Sequence, residues 1–321
     1  MIALSESYRK VHYGLRPAKQ VERRMLVDAL LLLAEAGFRV RDYEYIGMGS
    51  IHFIDFAMFH KILGIQQMVS VEASDSIEKR IDFNRPYQPV VRTIVGKEIG
   101  EVISKLDTRK QYLVWLDYDT VLCDGILKDI QLAVSRLAFG SVLLVTVDTE
   151  LPKSTEHSGD LRPDEAQEYF EAFADCYLVD YHDETHYRYD NLPTITLAAV
   201  QGAIRSGLVG LTEKEFIPLF NFVYKDTSRM LTAGGMIGGR REKQRINKSR
   251  LVKTCYYRSD FSLPPCSIRV PCLTRKEVLY LEANMPAKAG WAPEAFELPA
   301  DEVEQFCKIY RFFPMYAELY L

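Results

Sequence analysis

Three groups of residues in this 321-residue chain have types and spacing suited to chemistry. The first is the turn Gly47, Met48, Gly49 and Ser50, where an apolar β-like run, YEYI, meets the helical run IHFIDFAMFHKILGI. Two glycines one residue apart either make a plain turn or let a nucleotide-like ligand approach a backbone that carries no Cβ. The second is Glu72, which ends the next β-rich run and follows Gly47 by 25 residues. A carboxylate at that point of an open α/β sheet can accept hydrogen bonds from ribose hydroxyls; a solvated acid at a strand end is the plainer reading. The third is the pair Asp117 and Asp119 in VWLDYD. Residues i and i+2 share one face of a strand, so both carboxylates are expected at the same rim. An acid there orients a substrate, takes a proton or binds a metal, unless it only caps the helix that follows.

Five β-rich runs alternate with helical patterns across the first 150 residues and must position these groups. They end at GMG, VEAS, VG, LDYD and VTVDT, and an amphipathic helix, LRPAKQVERRMLVDALLLLAEAGF, precedes them and stops at Gly37. Strands separated by helices pair in parallel with helices on both faces, and right-handed crossovers make the sheet doubly wound. Ligands of such a sheet bind outside the carboxyl ends of its strands. The remaining chain is less regular. Residues 151–214 read as a polar loop and a mainly helical insertion, FIPLFNFVYKDTSRMLTAGGMIGG reads as a β-hairpin, and two helical patterns close the tail. We therefore expect a Rossmann-like domain over residues 1–240 and a C-terminal region over 241–321, helical and possessing at most a winged-helix-like unit.

Composition is that of an ordinary globular protein, 48% hydrophobic and 26% charged, with a net charge of −4 that selects no partner class. No apolar run is long enough to span a membrane, no secretory signal is visible at the N-terminus, and six scattered cysteines form no CxxC pair. Reduced thiols and a cytoplasmic location are the expectation. HDETH at 182–186 places two histidines four apart but is read as a polar loop, and no metal site is expected. His52 lies near the expected crevice, whereas His60 reads as a hydrogen-bonded core histidine. Residues 238–250 gather Arg240, Arg241, Lys243, Arg245, Lys248 and Arg250 against Glu242. Such a basic loop is either a solvated hairpin end or a contact for nucleic acid or a protein partner.

With GMGS, VEAS and LDYD at the ends of strands one, two and four, the sequence resembles the class I S-adenosylmethionine-dependent methyltransferases. It is most similar to a bacterial family described as putative O-methyltransferases, through LRPAKQVERRM, YIGMGSIHFIDFAMFHKILGI, SVEAS, VWLDYD, SVLLVTV, LTRKEVLYLEANMP and IYRFFPMYAEL. The resemblance implies S-adenosylmethionine as cofactor, with Gly47 and Gly49 along its methionine and ribose portion, Met48 and Ser50 in the same turn, and Glu72 with Ala73 at the ribose. It implies Asp117 near the transferable methyl, as base or orienting acceptor, with Asp119 beside it. Such enzymes commonly place an acid after strand three for the adenine amino group. This chain has Lys97 there, and Glu98 is the substitute. The resemblance further implies that the hairpin supplies strands six and seven, with seven antiparallel beside five.

The expected function is methyl transfer to oxygen, because LDYD lacks the Asn/Asp-Pro-Pro-aromatic run common among nitrogen-directed relatives. The alternative is a catalytically silent fold of this type that senses S-adenosylmethionine or a nucleotide and contacts a partner through residues 238–321. A nicotinamide-dependent reaction fits less well, since GMGSIH lacks the third glycine of the dinucleotide fingerprint.

Overall fold

The structure is a computed structural model that describes residues 15–153, 160–178 and 183–314. In chain order its elements are α1 (Pro17–Glu35), β1 (Glu44–Gly47), α2 (Ile54–Met58), β2 (Gln67–Glu72), α3 (Glu78–Asn84) and β3 (Val91–Val95). There follow α4 (Ile99–Ile103), β4 (Tyr112–Val121), α5 (Asp124–Arg136), β5 (Val142–Asp148), α6 (Pro163–Ala174) and α7 (Leu192–Gly207). The chain continues with β6 (Glu215–Lys225), β7 (Arg229–Gly238), α8 (Arg240–Lys248), β8 (Cys266–Ile268), α9 (Arg275–Ala283) and α10 (Ala300–Ile309).

One sheet of eight strands runs in the order β3-β2-β1-β4-β5-β7-β6-β8. β1 to β5 are mutually parallel, β7 is antiparallel to both β5 and β6, and β8 is parallel to β6. The chain moves outward from β1 to β3 and then returns to β4 on the other side of β1. This reversal opens a crevice between the carboxyl ends of β1 and β4. The doubly wound α/β fold and the antiparallel hairpin are thus as expected.

Alternation along β4 divides the core in two. Leu113 and Trp115 face α1 and the Phe53, Phe56 and Phe59 cluster, while Tyr112, Val114 and Leu116 face α4, α5 and α7. Asp117 continues the parity of Trp115 and so points to the α1 side. β4 is longer than expected, and its pairing with β5 shifts register between Asp117 and Val121. The segment after 240 shares the α1-side core through Ile246, Leu251, Tyr256, Ile268, Ile309 and Phe312, and β8 belongs to the main sheet.

One observation differs from the sequence reading. The basic stretch is a helix, α8, rather than a loop. Glu242 accepts from the Gly239 N–H at its first turn, Arg245 donates to the Ala36 carbonyl and lies 4.0 Å over the Phe38 ring, and Lys243 and Arg250 pair with Glu215 and Glu35. Several of these cations therefore hold α8 against the body of the protein, at the rim opposite the carboxyl ends. In HDETH, Glu184–Tyr187 form a single 3₁₀ turn that contains His186, and His182 lies outside the described residues.

The amphipathic helix α1 is also more deeply embedded than its charges suggest. Lys19, Glu22 and Arg23 are all buried. No side chain of its own caps the first turn; Asp226, in the β6–β7 turn, accepts from the Ala18 and Lys19 N–H groups at 2.9 and 3.0 Å. A buried polar chain then ties α1 to the sheet. Lys19 Nζ lies 2.7 Å from Asp117 and 2.9 Å from Glu22, and 4.5 Å over the Trp115 ring. Thr232 donates to Glu22, shares a 2.8 Å hydrogen bond with Thr146, and Thr146 accepts from Trp115 Nε1 at 2.9 Å.

Replacing Lys19 with Met leaves two carboxylates in the core without their ammonium, a change that costs about 3–5 kcal/mol. Chemical denaturation should show that loss. Asp226→Ala removes both the cap and a charge at the positive end of the helix, and should lower stability by about 1–2 kcal/mol in the same measurement.

Candidate functional site

Two clusters of charge meet at the β1/β4 crevice. On the α1 side stand Arg16, Lys19 and Arg23 with Asp55 and Asp117; on the other stand Glu72, Glu98 and Asp119. Asp117 is governed by the α1 cations, and Asp119 acts on Glu72.

Burial alone would push the Asp117 carboxyl up, but Lys19, Arg23 and Arg16 outweigh it and hold the group below the usual carboxylate range. A quarter of its side chain remains exposed. Asp117 is therefore a fixed negative acceptor open to the crevice. A group so firmly ionised is a weak base at neutral pH, because proton abstraction works best when the acceptor titrates near the working pH.

Glu72 has the opposite balance. Half-buried at the end of β2, it is raised above the usual carboxylate range by burial, against the Ser74 and Ala73 N–H groups, which favour its charge, while Asp119 and Glu98 raise it further. Ser74 N–H lies 3.4 Å from Glu72 Oε1. Glu98 precedes α4 and lies near Tyr118 and Asp129. Lys97, at the position in question after strand three, turns to Glu101 at 3.3 Å and leaves Glu98 as the acid of that turn.

The turn after β1 is tightly built. A Cβ at Gly47 would strike the Tyr45 hydroxyl, and one at Gly49 would come within 2.7–2.9 Å of Ser70, Phe53 and Phe56. Both glycines are thus required by the protein's own packing on their Cβ side, and Gly49 N–H donates to Ser70 Oγ at 3.1 Å. Ser50 and Phe53 both adopt left-handed backbone, with φ of 49° and 48°. That conformation is costly for residues other than glycine and recurs where a loop is held in shape for a ligand. Met48 packs against the α5-side core, and His52 follows half-buried before α2. His60 shares a 2.9 Å hydrogen bond with the Ile65 carbonyl, so it is structural as read.

Sequence reasoning missed Lys19, Glu22, Arg23, Asp55 and Tyr224. A signal for the first three exists. Positions 19, 22, 23, 26, 30 and 33 form one stripe of α1, and its apolar end, Leu26, Leu30 and Leu33, is the buried face. Charges on a buried stripe must find partners inside. Asp55 accepts from the Tyr45 hydroxyl within the same cluster.

The site suits an adenosyl compound on two counts: a half-buried carboxylate ends β2 at the switch point, and buried donors on the α1 side lack protein acceptors among the described residues. No described group of His, Cys, Asp or Glu has the arrangement of a metal site. No described helix is long and apolar enough to cross a membrane.

Comparison with curated proteins finds no match. Among solved structures, similar chains include Trm1 from Pyrococcus horikoshii, solved with S-adenosyl-L-methionine (12% identity, TM-score 0.46, 77% of this chain and 62% of that one). Another is an O-methyltransferase from Bacillus cereus, solved with S-adenosylhomocysteine (11% identity, TM-score 0.39, 72% and 86%). A third is a putative O-methyltransferase from Klebsiella pneumoniae (9% identity, TM-score 0.37, 69% and 89%). The family model described as "Putative O-methyltransferase" matches residues 11–321. With nearly the whole chain matched and the β3-β2-β1-β4-β5-β7-β6 order in place, this protein belongs to that family, within the class I S-adenosylmethionine-dependent methyltransferases.

Proposed function

We propose that this protein transfers a methyl group from S-adenosylmethionine to an oxygen nucleophile in the β1/β4 crevice. The observation that carries this reading is Glu72, a half-buried carboxylate at the end of β2, with its charge favoured by the Ser74 and Ala73 N–H groups and opposed by burial, Asp119 and Glu98. A carboxylate in that state gains from a neutral guest that donates hydrogen bonds, and the ribose hydroxyls are such donors.

In this reading Glu72 holds the ribose, Ala73 lies beside it, and Glu98 receives the adenine amino group. The turn Gly47–Ser50 shapes the floor of the crevice. S-adenosylmethionine supplies an electrophilic methyl on a sulfonium, so the protein's task is alignment. Asp117 serves as an ionised acceptor that orients a reactant, and Asp119 offers a second acceptor on the Glu72 side. Partner contact through Arg240, Arg241, Lys243 and Arg245 is not part of this reading, because α8 lies at the opposite rim and Lys243 and Arg245 are engaged within the protein.

Two measurements test the reading. S-adenosylhomocysteine should bind the ionised form of Glu72, so its affinity, measured by calorimetry, should fall as pH drops through that group's raised pKa. Glu72→Gln should weaken binding and flatten this dependence; affinity unchanged at every pH removes Glu72 from the site. Asp117→Asn should slow transfer of labelled methyl into cell extract by about 10²-fold through misalignment. A rate equal to that of the unaltered protein excludes the role given to Asp117.

A further inference from the structure

Residues 238–250 hold six Arg and Lys side chains and one acid, in a chain whose net charge is −4. Three of the six are engaged by the protein itself: Lys243 pairs with Glu215, Arg250 with Glu35, and Arg245 donates to the Ala36 carbonyl. The other three, Arg240, Arg241 and Lys248, are exposed and have no ion-pair partner among the described residues. Helical spacing places them, with the exposed Gln244 and Asn247, on the face turned away from the buried Ile246. That face carries no carboxylate, since Glu242 is drawn to the Gly239 N–H. The surface continues past the helix. Arg245 lies over the Phe38 ring, so α8 stands beside Arg39 and Arg41, which are 81% and 80% exposed and share one acid, Asp42. At the first turn, the ring of Phe139 comes within 3.2 Å of where a Cβ on Gly239 would lie, and Phe139 is 41% exposed.

A row of unpaired cations and amide donors one turn apart, about 6 Å, is complementary to a chain of repeating negative charge. Helices that lie on anionic membranes insert large apolar side chains from the same side, and the outward face of α8 has none. A folded protein partner is recognised through an apolar centre with a polar rim, and one exposed ring is too little for that. One ring is enough for a base to stack on. We propose that the outer face of α8, with Arg39, Arg41 and Phe139, is a docking surface for single-stranded nucleic acid. Its phosphates lie on the cations and a base stacks on Phe139. The surface is at the rim opposite the crevice, so it holds the protein on the polymer and is independent of the cofactor reading.

The test is fluorescence anisotropy of the full chain with labelled single-stranded RNA and DNA oligonucleotides of mixed sequence, and with a duplex. Single strands should bind more tightly than the duplex, with affinity that falls steeply as salt rises. Arg240→Gln, Arg241→Gln and Lys248→Gln combined should weaken binding at least about tenfold and lower the slope of log affinity against log salt by about 2. The same variant should keep its thermal midpoint, and Arg240→Lys with Arg241→Lys should retain binding. Phe139→Ala should weaken single strands about fivefold or more with the salt slope unchanged. If the unaltered protein leaves every oligonucleotide free at low salt, or the triple variant binds as tightly as the unaltered protein, the proposal is overturned. Duplex bound more tightly than single strands, or Phe139→Ala without effect on them, overturns the single-stranded assignment. Binding to phosphatidylserine vesicles with none to oligonucleotides would give the face to a membrane and overturn the proposal as well.

Discussion

An ammonium group held in a protein interior needs negative charge at hydrogen-bond distance, and Lys19 has it twice, in Asp117 and Glu22. Much of the site follows from that requirement. Asp117 is kept ionised because Lys19 is there; α1 lies against the crevice because Lys19 must reach the end of β4. The polar chain through Glu22, Thr232, Thr146 and Trp115 Nε1 runs across three strands and connects the site to the middle of the sheet. Buried ionic groups of this kind contribute little net stability over well-packed apolar ones. Their presence on the path between α1 and β4 gives position: the helix can dock in one register only if each charge is to be met.

The two sides of the crevice are electrostatically different, although Glu72 continues the parity of Met68 and Asp117 that of Trp115, on the same face of the sheet. Asp117 points to the α1 face, where three cations lower its pKa. Glu72 points to a region where acids accumulate and burial raises it. A guest that spans the crevice therefore meets hydrogen-bond acceptors at one end and a mixture of fixed positive and negative groups at the other. The basic helix α8 is remote from both and serves the packing of α1, through Arg245 on Ala36 and Phe38.

The glycine turn shows how a motif can be legible for more than one reason. Gly47 and Gly49 are where a ligand-binding turn of this fold would have them, and yet the space a side chain would take is filled by Tyr45, Ser70, Phe53 and Phe56. Packing is sufficient to require glycine there. The left-handed backbone at Ser50 and Phe53 is the stronger sign of a loop held in one shape, and periodicity does not reveal it.

Much of the architecture could be read directly from residue patterns. Alternation of β-rich and helical runs implied the doubly wound sheet, and turn residues marked where β1 and β2 end, with Glu72 the last residue of β2, whereas β4 runs past Asp117 to Val121. Local pattern sufficed for these because hydrophobic periodicity and chain breaks act between near neighbours. Other features depended on contacts between residues more than 90 positions apart. Lys19 meets Asp117 and Asp226 caps α1 only once β4 and the β6–β7 turn are brought beside the helix. The unused donors of Arg23 and Tyr224, the helical form of the basic stretch and the place of β8 in the main sheet were likewise not legible in residue patterns. Whether a charge is exposed, paired or left wanting a partner is decided by what surrounds it in space, and that is settled only when the whole chain has packed.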